Sequence, residues 1–134
     1  MGTSTCDEIH MARIFVHEPT SLWTAELERT FATQRDVSFR WHPHASDLLN
    51  DASQADVMVL VVSPEDASLD LIRGIRSRNS AARLICLVNE EEPDWEHLAR
   101  ECGVTSILPD VSVKFRVIEL IEQLLSVSAS GGFH

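Results

Sequence analysis

The chain is poor in cysteine and in basic residues and has no long apolar run, and each shortage removes a class of protein. Cys6, Cys86 and Cys102 are odd in number, widely spaced and without Cys-x-x-Cys or Cys/His finger spacing. Neither a disulfide framework nor a zinc site is therefore expected. Lys and Arg number 11 against 21 Asp and Glu, giving a formal charge of −10 and a pI near 4.9. Binding phosphates needs a clustered basic patch, which these dispersed cations do not form, so direct contact with nucleic acid is not expected. No segment approaches the ~20 apolar residues of a membrane span. Met1 to His10 carries acidic residues and no apolar leader core. Gly-x-Gly-x-x-Gly, Walker and Gly-x-Ser-x-Gly motifs are all missing, which leaves a glycine-cradled nucleotide and a serine nucleophile elbow unsupported. These shortages lead to the expectation of a soluble cytoplasmic protein with reduced thiols and no cofactor.

What the chain does have is enough apolar content, 44% of 134 residues, to bury one core without staples. Its centre is Val57-Met58-Val59-Leu60-Val61-Val62, which follows Ala55-Asp56 and ends at Ser63-Pro64. The run is too short for an ordinary helix, is mostly β-branched and shows no period of two, so it reads as a strand covered on both faces. Arg13-Ile14-Phe15-Val16-His17, closed by Glu18-Pro19, reads as a first central strand. Thr20 or Ser21 can cap a helix to about Gln34 with Trp23, Leu27 and Phe31 as its stripe. Val37, Phe39 and Trp41 alternate with Ser38, Arg40 and His42, as in an edge strand with one wet face. A short helix over 45–54 follows the break at Pro43.

After the central strand come a helix over 68–79, a strand over 83–88, an acid- and proline-started helix from Glu90 to Gly103, a strand over 105–108 and a last helix over 113–127. The last helix would face inward with Val113, Val117, Leu120, Ile121 and Leu124. Residues 1–11 read as an N-terminal tail, 12–127 as the domain, and the Ser/Gly-rich 128–134 as a mobile C-terminal tail. Strands alternating with helices through short loops predict an α/β fold: a doubly wound five-stranded parallel sheet between helix layers.

From Arg13 to Val127 this layout resembles the receiver domain of bacterial response regulators, whose flavodoxin-like sheet runs in the order 2-1-3-4-5. Ala55-Asp56-Val57-Met58-Val59-Leu60 is similar to the family's third strand, Leu71-Ile72-Arg73-Gly74-Ile75-Arg76 to its third helix, and Ala99-Arg100-Glu101-Cys102-Gly103-Val104-Thr105-Ser106-Ile107-Leu108 to its passage from helix four to strand five. The resemblance implies an aspartate ending strand three, which accepts phosphate, and acidic residues after strand one, which hold magnesium. Here the phosphoacceptor position falls on Val61, or on Val62 or Ser63 if the register slips. The acidic pair becomes His17-Glu18, the hydroxyl ending strand four falls at Val88 or Asn89, and the lysine after strand five becomes Asp110 beside Pro109. A valine cannot accept a phosphoryl group, and one glutamate is a poor magnesium site. The resemblance thus implies a pseudo-receiver that is no enzyme, a signalling module of two-component type that works by binding a protein partner or an output domain.

Two surfaces could carry function. In an open α/β sheet ligands sit beyond the carboxyl ends of the strands, where strand order reverses. That crevice would gather His17, Glu18, Ser63, Glu65 and Asp66, with His42 and His44 on one side and Asn89 and Glu90 on the other. Imidazole and carboxylate together suit a transition metal, so the alternative function is a metal- or small-ligand-binding protein or an atypical hydrolase. Ser63-Pro64 is also similar to the strand ending of the Toll/interleukin-receptor fold, but the Trp-x-x-x-Glu phrase of its NAD-cleaving members is absent after Ser68. The second surface rests on the last helix, where Phe115, Ile118 and Leu125 widen the apolar arc beyond one sheet face. With Trp95 they form a candidate interface on the helix 4, strand 5 and helix 5 face, for a protein partner or for a homodimer.

Overall fold

The run Val57-Met58-Val59-Leu60 is at most 2% exposed because it forms β3 (Val57–Val62), the middle strand of a five-stranded sheet. A computed structural model describes residues 11–109 and 114–130, with side chains to residue 125. The elements in chain order are β1 (Ala12–His17), α1 (Leu22–Thr30), β2 (Val37–His42), α2 (Ala45–Asp51) continued by a 3-10 turn (Ala52–Gln54), β3, α3 (Asp66–Arg78), β4 (Arg83–Val88), α4 (Pro93–Glu101), β5 (Ser106–Pro109) and α5 (Lys114–Ser130). The strands lie in the order β2-β1-β3-β4-β5 and all neighbours pair in parallel. This is the doubly wound sheet expected from the alternation of elements. No helix among the described residues is long and apolar enough to cross a membrane.

Alternate β3 side chains serve two separate cores. Met58 and Leu60 join Phe15, Leu84, Cys86 and Val88 beneath α2, α3 and α4; Val57 and Val59 join Ile14, Val16, Ile85 and Leu87 beneath α1 and α5. Each face of the sheet is thereby removed from water, which is why the central strands are continuous apolar runs and do not alternate.

Several boundaries move. The helix after β1 stops at Thr30, short of Gln34, and the last helix runs through Ser130, three residues into the expected C-terminal tail. Val113 and the rest of the two tails, residues 1–10 and 131–134, lie outside the described residues. On β2 the expected wet face is interrupted at His42, which is 3% exposed. Its ring lies 4.5 Å from that of Phe15 and its Nε2 lies 3.1 Å from Asp51 Oδ2, because α2 covers this end of the strand. Trp41, expected to face inward, is 41% exposed.

At the opposite end of the sheet Arg76 closes the fold. Its guanidinium donates to the carbonyls of Asn79, Ser80, Ala82, Cys102 and Gly103, which ties the end of α3 to the turn after α4. Gly103 holds φ +96°, and a β-carbon there would lie 2.8 Å from Arg76 Nε. Gly103→Ala should cost about 1–2 kcal/mol for the left-handed backbone alone. Arg76→Met, which orphans several carbonyls, should cost about 2–4 kcal/mol. Urea unfolding followed by circular dichroism measures both.

Burial within β4 pushes the Cys86 thiol up from 9.0 to about 12. The unfolded chain therefore ionises first. The stability that this neutral thiol contributes is complete below pH 9.0 and falls as the pH rises toward 12. Unfolding free energies across this alkaline window should decline less steeply in Cys86→Ala than in the parent chain.

Candidate functional site

The parallel sheet brings the carboxyl ends of β1, β3 and β4 to one edge, and with them most of the candidate residues. There the chain uses its polar groups on its own backbone. Glu18 follows β1 and is 2% exposed. Its Oε1 accepts the Trp23 N–H at 3.0 Å, and its Oε2 accepts the Thr24 N–H and the Thr24 hydroxyl, both at 2.8 Å. These amides belong to the first turn of α1, whose N–H groups have no partner within the helix, and the positive end of the helix suits a carboxylate. Glu18 thus caps α1. Ser21, at the N-cap position, makes no side-chain capping bond, so the expected Thr20/Ser21 cap is corrected.

His17 is half-buried, with Nδ1 2.9 Å from the carbonyl of His42. Val61 is half-buried and packs on the α1/α5 side, paired in register with Leu87; Val62 turns to the other side and pairs with Val88, which is 3% exposed. Neither valine offers an acceptor. Asp110 lies outside the described residues.

Ser63, Glu65 and Ser68 form the turn into α3. The Ser68 hydroxyl accepts the Glu65 N–H at 3.2 Å and lies 2.7 Å from both the Ser63 and the Glu65 carbonyl oxygens. Trp95 of α4 enters the same cluster, its indole N–H lying 3.1 Å from the Glu65 carbonyl and from Ser68 Oγ. The cluster locks the loop after β3 to α4. Among the described residues Ser63 Oγ itself receives a long contact, 3.4 Å, from the Asn89 amide, and no histidine or carboxylate is placed as its base.

The crevice residues are therefore not one constellation. His42 is buried against Asp51, His44, Asn89, Glu65, Asp66 and Glu90 are exposed, and Glu18 is turned into α1. Among the described residues no three His, Cys, Asp or Glu side chains come together in a metal-holding group. The described residues do not fit the magnesium that receiver sites hold, since Glu18 has both oxygens engaged and Val61 has none.

The candidate interface also changes. Trp95 is 5% exposed and belongs to the core beneath α4, so it is not a surface residue. Ile118 and Leu125 are half-buried against the α1/α5 core, and Phe115 alone stands out, at 84% exposure. Lys114 points to α1, with Nζ 2.9 Å from Glu26 Oε2. At about 100° per residue, Ile118 and Leu125 lie within roughly 40° of Lys114 around the helix. They occupy the flank next to α1, away from β5.

No protein-family model matches the chain, and no curated protein matches it. Solved structures do. A response regulator from Thermotoga maritima superposes with a TM-score of 0.71 at 13% identity, covering 87% of this chain and 98% of that one. The chemotaxis protein CheY4 of Vibrio cholerae gives 0.70 at 13% identity, covering 85% and 98%. A Burkholderia pseudomallei response regulator with a phosphorylated aspartic acid, a calcium ion and citrate gives 0.65 at 15% identity, covering 91% and 74%. The fold is that of a response-regulator receiver domain. Within this receiver fold, Thr24 and Ser68 are polar groups at the strand ends that the sequence did not single out, and Trp95, read as an interface residue, supplies its indole N–H there instead. Glu65-x-x-Ser68 has the spacing of a capping box and was the one available signal.

Removing the Glu18 cap should be costly because it leaves one buried and one half-buried helix amide and a buried hydroxyl without an acceptor. Glu18→Ala should lose about 2–3 kcal/mol, and Glu18→Gln about half of that, in chemical denaturation.

Proposed function

We propose that the chain is a non-catalytic pseudo-receiver, a signalling module that works by contact with a protein partner or an output domain, independently of phosphorylation. The observation that carries this reading is Glu18: the carboxylate standing where the family holds magnesium is 2% exposed and bound to the α1 amides. With Val61 at the phosphoacceptor position, neither the acceptor nor the metal ligand of a phosphotransfer reaction is available.

The partner contact is assigned to the face of α4, β5 and α5. Glu96 of α4 is half-buried there, and Ile107 and Leu108 of the edge strand are half-buried beside it. A cleft of about 300 Å³ lies beside them, floored by Val88, Ile107, Leu108 and Pro109 and rimmed by Glu90, Glu91 and Glu96.

Beryllofluoride or acetyl phosphate with magnesium should leave the fluorescence spectrum and the oligomeric state unchanged, and Val61→Asp alone should not restore a response, because Glu18 stays committed to α1. A stable phosphoadduct of the parent chain in a mass spectrum would refute the reading. Capture of a specific partner by the parent chain and not by Glu96→Arg would support the assigned face.

A further inference from the structure

Acidic side chains along the helices are answered by a neighbouring cation or imidazole: Glu26 by Arg29 and Lys114, Asp51 by Arg40, Asp70 by Arg73 and Glu101 by His97. Glu90, Glu91 and Glu96 differ, since none of them forms an ion pair among the described residues and all three stand around one cleft. The cleft holds about 300 Å³ and has an apolar floor, Val88 from β4 and Ile107, Leu108 and Pro109 from β5. Glu96 lies in the first turn of α4, where the positive helix end favours a carboxylate, but Glu90 and Glu91 precede the helix. The three carboxylates do not form a group that could hold one metal ion. Their spacing suits a spread organic cation.

We propose that this cleft is an arginine seat: it takes an arginine side chain of the protein partner, with the aliphatic stem on Val88, Ile107 and Leu108 and the guanidinium among Glu90, Glu91 and Glu96. The seat presupposes the partner face assigned above and specifies the chemistry of what docks there. A planar guanidinium presents its donors as a fork that carboxylates share, and it gives up water more readily than an ammonium, so arginine is favoured over lysine above an apolar floor. Its methylenes cover that floor while the charge stays at the rim. β5 ends the sheet and pairs with β4 on its inner side, so no further described strand stands between the cleft and an approaching chain. The formal charge of −10 draws a cationic segment in, and Glu92 and Asp94, both exposed, strengthen the field at this corner.

The probe is an acetylated, amidated Ala-Val-Arg-Leu-Arg-Ala peptide, with analogues carrying Lys or Glu in place of Arg, titrated into the isotope-labelled full chain and followed by amide chemical shifts. The arginine peptide should shift the amides of Asn89, Glu90, Glu91, Glu96, Ile107 and Leu108, the lysine peptide should bind several-fold more weakly, and the glutamate peptide should leave them in place. Glu96→Arg and Glu91→Arg should each weaken the arginine peptide about tenfold or more, while Glu28→Arg on α1 leaves it unchanged. Because Glu91 is exposed and Glu96 half-buried, these variants should keep the parent melting curve. A lysine peptide that binds as tightly, shifts scattered over the other acidic surfaces, or cleft amides that do not move overturns the seat. If a captured partner is lost on Glu96→Arg while the arginine peptide leaves the cleft unmoved, the partner face stands and the seat alone fails. If partner capture survives Glu96→Arg, the face itself is lost, and the seat with it.

Discussion

The central strand has no wet face, and the rest of the architecture follows from that constraint. Val57, Val59 and Val61 project to one side and Met58, Leu60 and Val62 to the other, so β3 is stable only with helices packed above and below it. Parallel neighbours and crossover helices supply both layers, with α2, α3 and α4 on one side and α1 and α5 on the other. Arg76 secures the amino-terminal edge of this sandwich by binding carbonyls from two helix ends. The carboxyl-terminal edge is secured by Glu18, Ser68 and Trp95.

That second edge is where receiver folds place their chemistry, and here its polar groups stabilise the scaffold. A carboxylate at the end of β1 can face outward to solvent or inward to the α1 amides. Glu18 accepts three hydrogen bonds from α1 and is 2% exposed, so its carboxylate is turned inward. The loop after β3 is similarly committed, through Ser68, to the indole of Trp95. The partner contact is therefore proposed elsewhere, on the α4–β5–α5 face.

Much of the fold was legible in the residues. Unbroken apolar runs marked β1, β3 and β4 as central, and Gly103 marked the end of α4 with the backbone only glycine adopts cheaply. His42 was misread because its burial depends on where α2 settles, and β2 alternates without indicating which turn of a distant helix will cover it. Trp95 was misread although Ala99, one helical turn on, shares its inward face; Leu98 offered a competing side, and the acceptors of the indole lie 30 residues away, at Glu65, and 27 away, at Ser68. Ile118 and Leu125 did extend the apolar arc of α5, but the direction of that arc was set only when Lys114 met Glu26.

By itself the sequence determined the alternation of elements, the sheet class and a valine at position 61 near the end of β3, because burial period and residue chemistry are local properties. Tertiary structure decided what the surviving polar residues do. Whether Glu18 is a ligand or a helix cap depends on the entry angle of α1, and whether an aromatic is core or surface depends on which helix flank its neighbours leave open. Those are relations between elements, and the chain fixes them only when the two cores close on the sheet.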